Sequence, residues 1–189
     1  SAVAAAVGAL KGPKHGGANI KVMEMMNDIK KNVKDWENET EIAEYLAKIL
    51  RKEAFDRTGL IYGMGHAVYT LSDPRAVILK QKAAELAKEK GMEKEYRLYS
   101  LIEKIAPDVF KSVKKTDHII AANVDFYSGF VYNMLNIPVD LYTPIFAMAR
   151  IAGWCAHRIE EIVSGGKIIR PAYKNVIGRR DYIALAERE

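Results

Sequence analysis

Apolar residues recur along nearly the whole chain at the period of an α-helix. The clearest run lies in residues 41–53, where Ile42, Tyr45, Leu46, Ile49 and Leu50 fall at i, i+3, i+4, i+7 and i+8, one face of a helix. Asn38 with Glu41 three residues later is a capping pair for its start, and Gly59 lies beyond its end. Val22, Met26, Ile29 and Val33 predict an earlier helix over 20–33. Asp73-Pro74 sets a cap before a proline at the first helical position, and Leu79, Ala83, Leu86 and Ala87 then trace a stripe that ends at Gly91. Leu98, Ile102, Ile105 and Ala106 form the next stripe, which Pro107 is expected to interrupt. Thr143-Pro144 opens a long helix expected to turn Ile145, Ala149, Ala152, Ala156, Ile159 and Val163 inward, closed by Gly165-Gly166. Only Ile168-Ile169 and the piece Val139 to Tyr142 hint at strands, and both are short, so the expected class is all-α. The charged stretch Lys30 to Glu41 reads as an exposed connection.

The chain has 189 residues, 49% hydrophobic and 28% charged, enough apolar content for a packed core in one domain or a pair of small lobes. The longest nearly uncharged stretches, Ser1 to Leu10 and Ile137 to Cys155, are too short or are broken by Pro138, Asp140, Pro144 and Arg150, so no membrane span is expected. The opening SAVAAAVGAL reads as the interior of a longer helix that has been cut. A single cysteine, Cys155, excludes a disulfide framework and a cysteine-based metal site and fits a reducing compartment, most simply the cytoplasm. The excess of 29 Lys and Arg over 24 Asp and Glu is interleaved with acids rather than clustered, which argues against nucleic-acid binding.

Three segments break the helical grammar: Gly12-Pro13-Lys14-His15-Gly16-Gly17-Ala18-Asn19, Gly63-Met64-Gly65-His66-Ala67-Val68 and Asn123-Val124-Asp125-Phe126-Tyr127-Ser128-Gly129. Two set a histidine among glycines, where the backbone turns sharply and approaches a ligand closely. Taken singly, each histidine fits an ordinary turn and Asp125 a helix cap. The histidines lack metal-ligand spacing, so no metal is expected; Ser128 lacks a nucleophile elbow, and Gly63-Met64-Gly65 lacks a dinucleotide fingerprint. Together, two histidines and an aspartate suit acid–base chemistry beside a carbonyl: a carboxylate takes a proton, one histidine hydrogen-bonds the developing enolate and the other polarises an electrophilic carbonyl. Arg75, Arg150 and Arg170 are guanidinium forks suited to carboxylates, and Arg150, mid-helix in apolar sequence, implies a partner.

GPKHGGAN, GMGHAVYTLSDPRA, NVDFYSG, the Arg150 segment with GWCAH, and IIRP stand in the order and spacing of the C-terminal half of citrate synthases, which this chain resembles over essentially its whole length. The resemblance implies the all-α citrate synthase fold, with residues 16–134 as a small lobe closing over substrate and 1–15 and 135–189 as parts of a large domain. It implies that Asp125 deprotonates the methyl of acetyl-CoA, that His15 hydrogen-bonds the thioester oxygen and that His66 polarises oxaloacetate. Arg75 and Arg150 match carboxylate-binding arginines, and Arg170 one that reaches into the partner subunit of a homodimer. Met64, Gly65 and Ala67 match the CoA-binding loop, with Asn123 a further CoA candidate. Acetyl-CoA enters as a substrate, with no cofactor. Many bacterial members carry a basic residue at or soon after Ala67, whereas this chain has Ala67 and Thr70, so contacts to the CoA phosphates are left unassigned. Family chains are roughly twice as long, and the part without a counterpart here carries a further oxaloacetate-binding histidine. The resemblance therefore implies a C-terminal fragment with little or no synthase activity alone. A 2-methylcitrate synthase fragment and a non-catalytic lobe that binds CoA or a partner are the alternatives.

Overall fold

The computed structural model describes residues 1–188 except 13–15, 171, 173 and 175. Among these residues the regular structure is helical: α1 (Ala2–Leu10), α2 (Ala18–Asn32), α3 (Glu39–Leu50), α4 (Pro74–Lys90), α5 (Glu93–Lys114), α6 (Val124–Met134) and α7 (Tyr142–Val163), with short 3₁₀ turns at Val139–Leu141 and Leu185–Glu187. The piece Val139 to Tyr142 is thus a helical turn leading into α7, not a strand.

Local chemistry sets most helix ends. The Asn38 side chain accepts from the backbone N–H groups of Thr40 and Glu41 at 3.0 and 3.2 Å, an N-cap for α3. Glu41 does not complete the reciprocal box: its carboxylate accepts instead from the N–H groups of Lys34 and Asp35, which folds the connection back onto α3. That connection is shorter than the charge pattern suggests, because α2 runs to Asn32, Val33 is buried and Trp36 packs against the core. Gly91 ends α4 in the left-handed conformation (φ 68°), as a C-cap glycine does.

Pro107 does not interrupt α5, which continues on to Lys114. A mid-helix proline removes one backbone hydrogen bond at a cost of about 3 kcal/mol. Here the flanking turns bury Leu98, Tyr99, Ile102, Ile105 and Ala106, and that burial outweighs it.

The core lies among α2 to α6. Met25, Met26 and Ile29 of α2, Ile42, Leu46 and Ile49 of α3, and Phe126, Tyr127 and Phe130 of α6 are fully enclosed. Tyr99 stacks on Phe130 at 4.7 Å and meets Phe126 edge-on at 5.5 Å. The Tyr127 hydroxyl donates to Glu103 at 2.6 Å, and Lys80 pairs with the same carboxylate, which satisfies the polar tip of a buried ring. Gly129 lets α2 and α6 approach, since a Cβ there would lie 2.7 Å from Met23.

Helix α7 behaves differently. It packs on α1, where Phe146, Arg150 and Trp154 line a small cavity with Ala6, Ala9 and Leu10; of the face expected inward, Ile145 is half-buried while Ala149, Ala152, Ala156, Ile159 and Val163 are exposed. The face turned to α1 is displaced by about one residue around the helix from the expected one, and the aliphatic stripe beyond Ile145 is left exposed. The two groups of helices are joined at Tyr142, whose buried hydroxyl donates to the Gly129 carbonyl at 3.2 Å, and at Thr143, whose Oγ1 donates to the Gly16 carbonyl at 2.6 Å.

Candidate functional site

Asn123 begins the site. Its side-chain oxygen caps α6 by accepting from the Asp125 N–H at 2.9 Å, which places Asp125 in the first turn, where the helix dipole favours an anion. The same side chain donates through Nδ2 to the Gly65 carbonyl at 2.8 Å, and its backbone N–H donates to the Gly63 carbonyl at 2.8 Å. Gly65 N–H donates in turn to the Ala121 carbonyl at 2.7 Å. The histidine loop is therefore stitched to the segment that starts α6, across a long sequence separation.

Gly63 makes this approach possible. Its φ is +79°, and a Cβ there would stand 2.8 Å from the Phe126 Cα, inside the backbone of α6. The tight turn brings the half-buried His66 to the same end of the molecule as the half-buried Asp125.

The His66 ring is held in one tautomer. Its Nδ1 accepts from the N–H groups of Val68 and Tyr69 at 3.0 and 3.3 Å, so the ring hydrogen sits on Nε2, which is left to donate to a ligand. The ring also lies 4.9 Å from Tyr69, which restrains its tilt.

Arg75 comes to the site from the first turn of α4. Asp73, buried with its side chain 1% exposed, accepts from the Arg75 backbone N–H, from Nε and from Nη2, and also from the Val124 N–H of α6. The guanidinium rests 5.6 Å from the centre of the Tyr69 ring. Hydrogen bonding to Asp73 raises the Arg75 pKa, and the nearby charge of Asp125 pushes it the same way. Burial raises the Tyr132 hydroxyl above its ordinary range, with Asp125 adding to the effect. Asp125 is thus electrostatically in touch with both Arg75 and Tyr132.

His66, Arg75, Asn123, Asp125, Met64 and Gly65 are accordingly brought together by hydrogen bonds and charge, with the exposed Ala67 on the same loop. Arg150 and Arg170 are not. Arg150 is exposed on α7, with the Phe146 ring, its centre 5.0 Å from the guanidinium, as a neighbour. Arg170 is exposed in the irregular segment after α7. His15 lies outside the described residues. Gly16, with φ +86° and its carbonyl tied to Thr143, lies against the start of α7 beside a cavity of about 630 Å³. The sequence pattern predicts Asp73 only as a cap; the Asp73-Pro74-Arg75 spacing is the signal for its hold on the guanidinium. Among the described residues no group of three or more His, Cys, Asp or Glu could hold a metal ion, and no helix is long and apolar enough to cross a membrane.

A family model for the citrate synthase C-terminal domain matches residues 1–172. The chain is 40% identical over 188 residues to a citrate synthase of Synechocystis sp., covering 98% of this chain and 43% of that protein. It is 36% identical over 190 residues to a 2-methylcitrate synthase of Shewanella oneidensis, covering all of this chain and 45% of that one. Among solved structures it is similar to the citrate synthase of Thermoplasma acidophilum in ternary complex with carboxymethyl coenzyme A and oxaloacetate, with a TM-score of 0.70 at 31% identity, covering 98% of this chain and 46% of that one. The chain spans less than half the length of these relatives.

Proposed function

This chain belongs to the citrate synthase family, and we propose that it carries the acid–base half of a site that condenses acetyl-CoA with oxaloacetate. The observation that carries this reading is the hydrogen-bonded joint between the His66 loop and the cap of α6, which sets a Nε2–H donor, a guanidinium and a carboxylate at one end of the fold.

In this reading Asp125 takes a proton from the acetyl methyl while His15 donates a hydrogen bond to the thioester oxygen. The carbon of the resulting enol then attacks the oxaloacetate carbonyl carbon, and as the C=O π bond opens its oxygen takes up the proton of His66 Nε2–H. The product, citryl-CoA, is cleaved by water to citrate and CoA. Arg75, together with Arg150 and Arg170, binds the carboxylates, the last across the interface of a homodimer. Met64, Gly65, Ala67 and Asn123 line the CoA side. Residues 16–134 act as the small lobe that closes over substrate, with 1–15 and 135–189 in the large domain; closure excludes water from the enol step.

Thiol release from acetyl-CoA in the presence of oxaloacetate tests the assignment in the protein that carries these residues. Asp125→Ala should lower turnover by about 10²–10⁴-fold, the range for a general base, while CoA titration calorimetry still shows binding. Unchanged turnover rejects Asp125 as the base. Faster turnover of propionyl-CoA than acetyl-CoA would move the assignment to 2-methylcitrate synthase, to which the chain is also similar.

A further inference from the structure

We propose that Asp73 is a positioning residue that serves both sides of this site at once, fixing the pose of the Arg75 guanidinium and pinning the N-terminus of α6 from which Asp125 projects. An N-cap aspartate needs one acceptor interaction, that with the first-turn N–H, and usually faces water. Asp73 makes four. One oxygen accepts from the Arg75 N–H and Nε, both at 3.0 Å, and the other from Arg75 Nη2 at 2.8 Å and from the Val124 N–H at 3.2 Å. The carboxylate is 1% exposed, so no water shares this work, while the arginine it holds is 46% exposed and accessible to a ligand.

The geometry divides the guanidinium. Of its five N–H groups, Nε–H and one on Nη2 are spent on Asp73. Of the remaining three, one on each Nη points outward and together they offer a fork to a substrate carboxylate. The Tyr69 ring, its centre 5.6 Å from the guanidinium carbon, adds a cation–π contact on one side. A single buried acid thereby presents the arginine to substrate. Its bond to Val124 links the α4 cap to α6, so the two functional groups move as one unit.

This inference rests on the assignment of Arg75 and Asp125 to the substrate site, and the experiment separates the two claims. In the 189-residue chain, the NMR signal of Arg75 Nε–H should exchange slowly with water. Asp73→Asn should speed that exchange at least tenfold, and unchanged exchange overturns the proposal. Oxaloacetate titration calorimetry then compares Asp73→Asn, Arg75→Ala and the double variant. Asp73→Asn should weaken binding roughly tenfold, as expected for loss of a charge-assisted hydrogen bond, but should cost nothing further once Arg75 is alanine. An equal loss in both backgrounds shows a merely structural role and overturns the proposal. If Asp73→Asn fails to fold, Asp73→Glu keeps the charge and cap while displacing the carboxylate, and the same two readouts decide. If the wild-type chain binds no oxaloacetate, the functional assignment fails in this chain, and the Nε–H exchange still decides whether Asp73 holds Arg75.

Discussion

Helices α5 and α7 are each 22 residues long and each carries an apolar stripe, yet they meet opposite fates. Helix α5 packs against α3 and α4 and buries five side chains despite a proline in its middle. Helix α7 buries only Tyr142, and leaves Met148 71%, Ile159 60% and Ile162 62% exposed. Periodicity selects a helix and a face, while the energy of that face depends on what covers it. The site residues follow the same division: on the covered side His66 and Asp125 are set by local hydrogen bonds and Arg75 by Asp73, and the bonds Asn123 to Gly65 and Val124 to Asp73 tie the loop and α4 to α6, whereas Arg150 and Arg170 are exposed on the uncovered side, with no such tie among the described residues.

The sharpest test of this difference is truncation at the centre of the covered region. Phe126 is fully buried between Tyr99 and Tyr127, at 5.5 and 5.1 Å. Phe126→Ala should lower unfolding free energy by about 3–5 kcal/mol, measured by urea denaturation of the chain. A loss below about 1 kcal/mol would break the claim that this region is a packed core.

Two glycines with similar backbone sharpen the contrast. Gly63 (φ +79°) abuts the α6 backbone, and Gly165 (φ +62°), after α7, has nothing within 4 Å of an added Cβ. Gly63→Ala should cost about 2–3 kcal/mol, combining conformational strain with displacement of Phe126. Gly165→Ala should cost only the strain, about 1 kcal/mol. Equal losses would mean that surroundings contribute nothing beyond φ.

An acid limb probes the hydrogen-bonded joint. The Arg75 guanidinium, against the opposing effect of burial and aided by the N–H groups of Arg75 and Val124, holds Asp73 below the usual carboxylate range. A depressed pKa in the folded state contributes stability that is present above the unfolded value, about 4, and is lost as pH falls through the folded one. Urea midpoints taken from pH 6 to pH 3 should therefore fall below about pH 4, and less steeply in Asp73→Asn. Parallel pH profiles for the two proteins would remove Asp73 from the account.

Much of this was legible in local sequence because it depends on neighbours in the chain. The Asn38 cap, the Asp73-Pro74 start and the Gly91 stop each act within one helical turn. The motif glycines around His66 and the cap before Asp125 were visible for the same reason. What was not visible depends on contacts across the fold. Asp73 meets Val124 51 residues away, Pro107 survives because of burial supplied by other helices, and the covered face of α7 is the one that meets α1. The pairing of Arg150 with Phe146 was within reach, four residues apart on one helix, but an arginine in apolar sequence reads equally well as an ion-pair partner.

The smallest effect expected is the most direct test of the uncovered side. Ile159→Ala removes the same side-chain atoms as Ile102→Ala in α5, where Ile102 is fully buried and the loss should be about 2–5 kcal/mol. At position 159 the side chain already keeps 60% of its surface in water when folded, so little transfer energy is lost and no cavity forms. Alanine also has the higher helix propensity, by roughly a few tenths of a kcal/mol. These terms nearly cancel, and urea unfolding should register a change within about ±0.5 kcal/mol. A loss above about 1 kcal/mol would require something to cover that face in solution. Dependence of the loss on protein concentration would then identify the cover as a second copy of the chain, because only an intermolecular contact makes apparent stability scale with concentration.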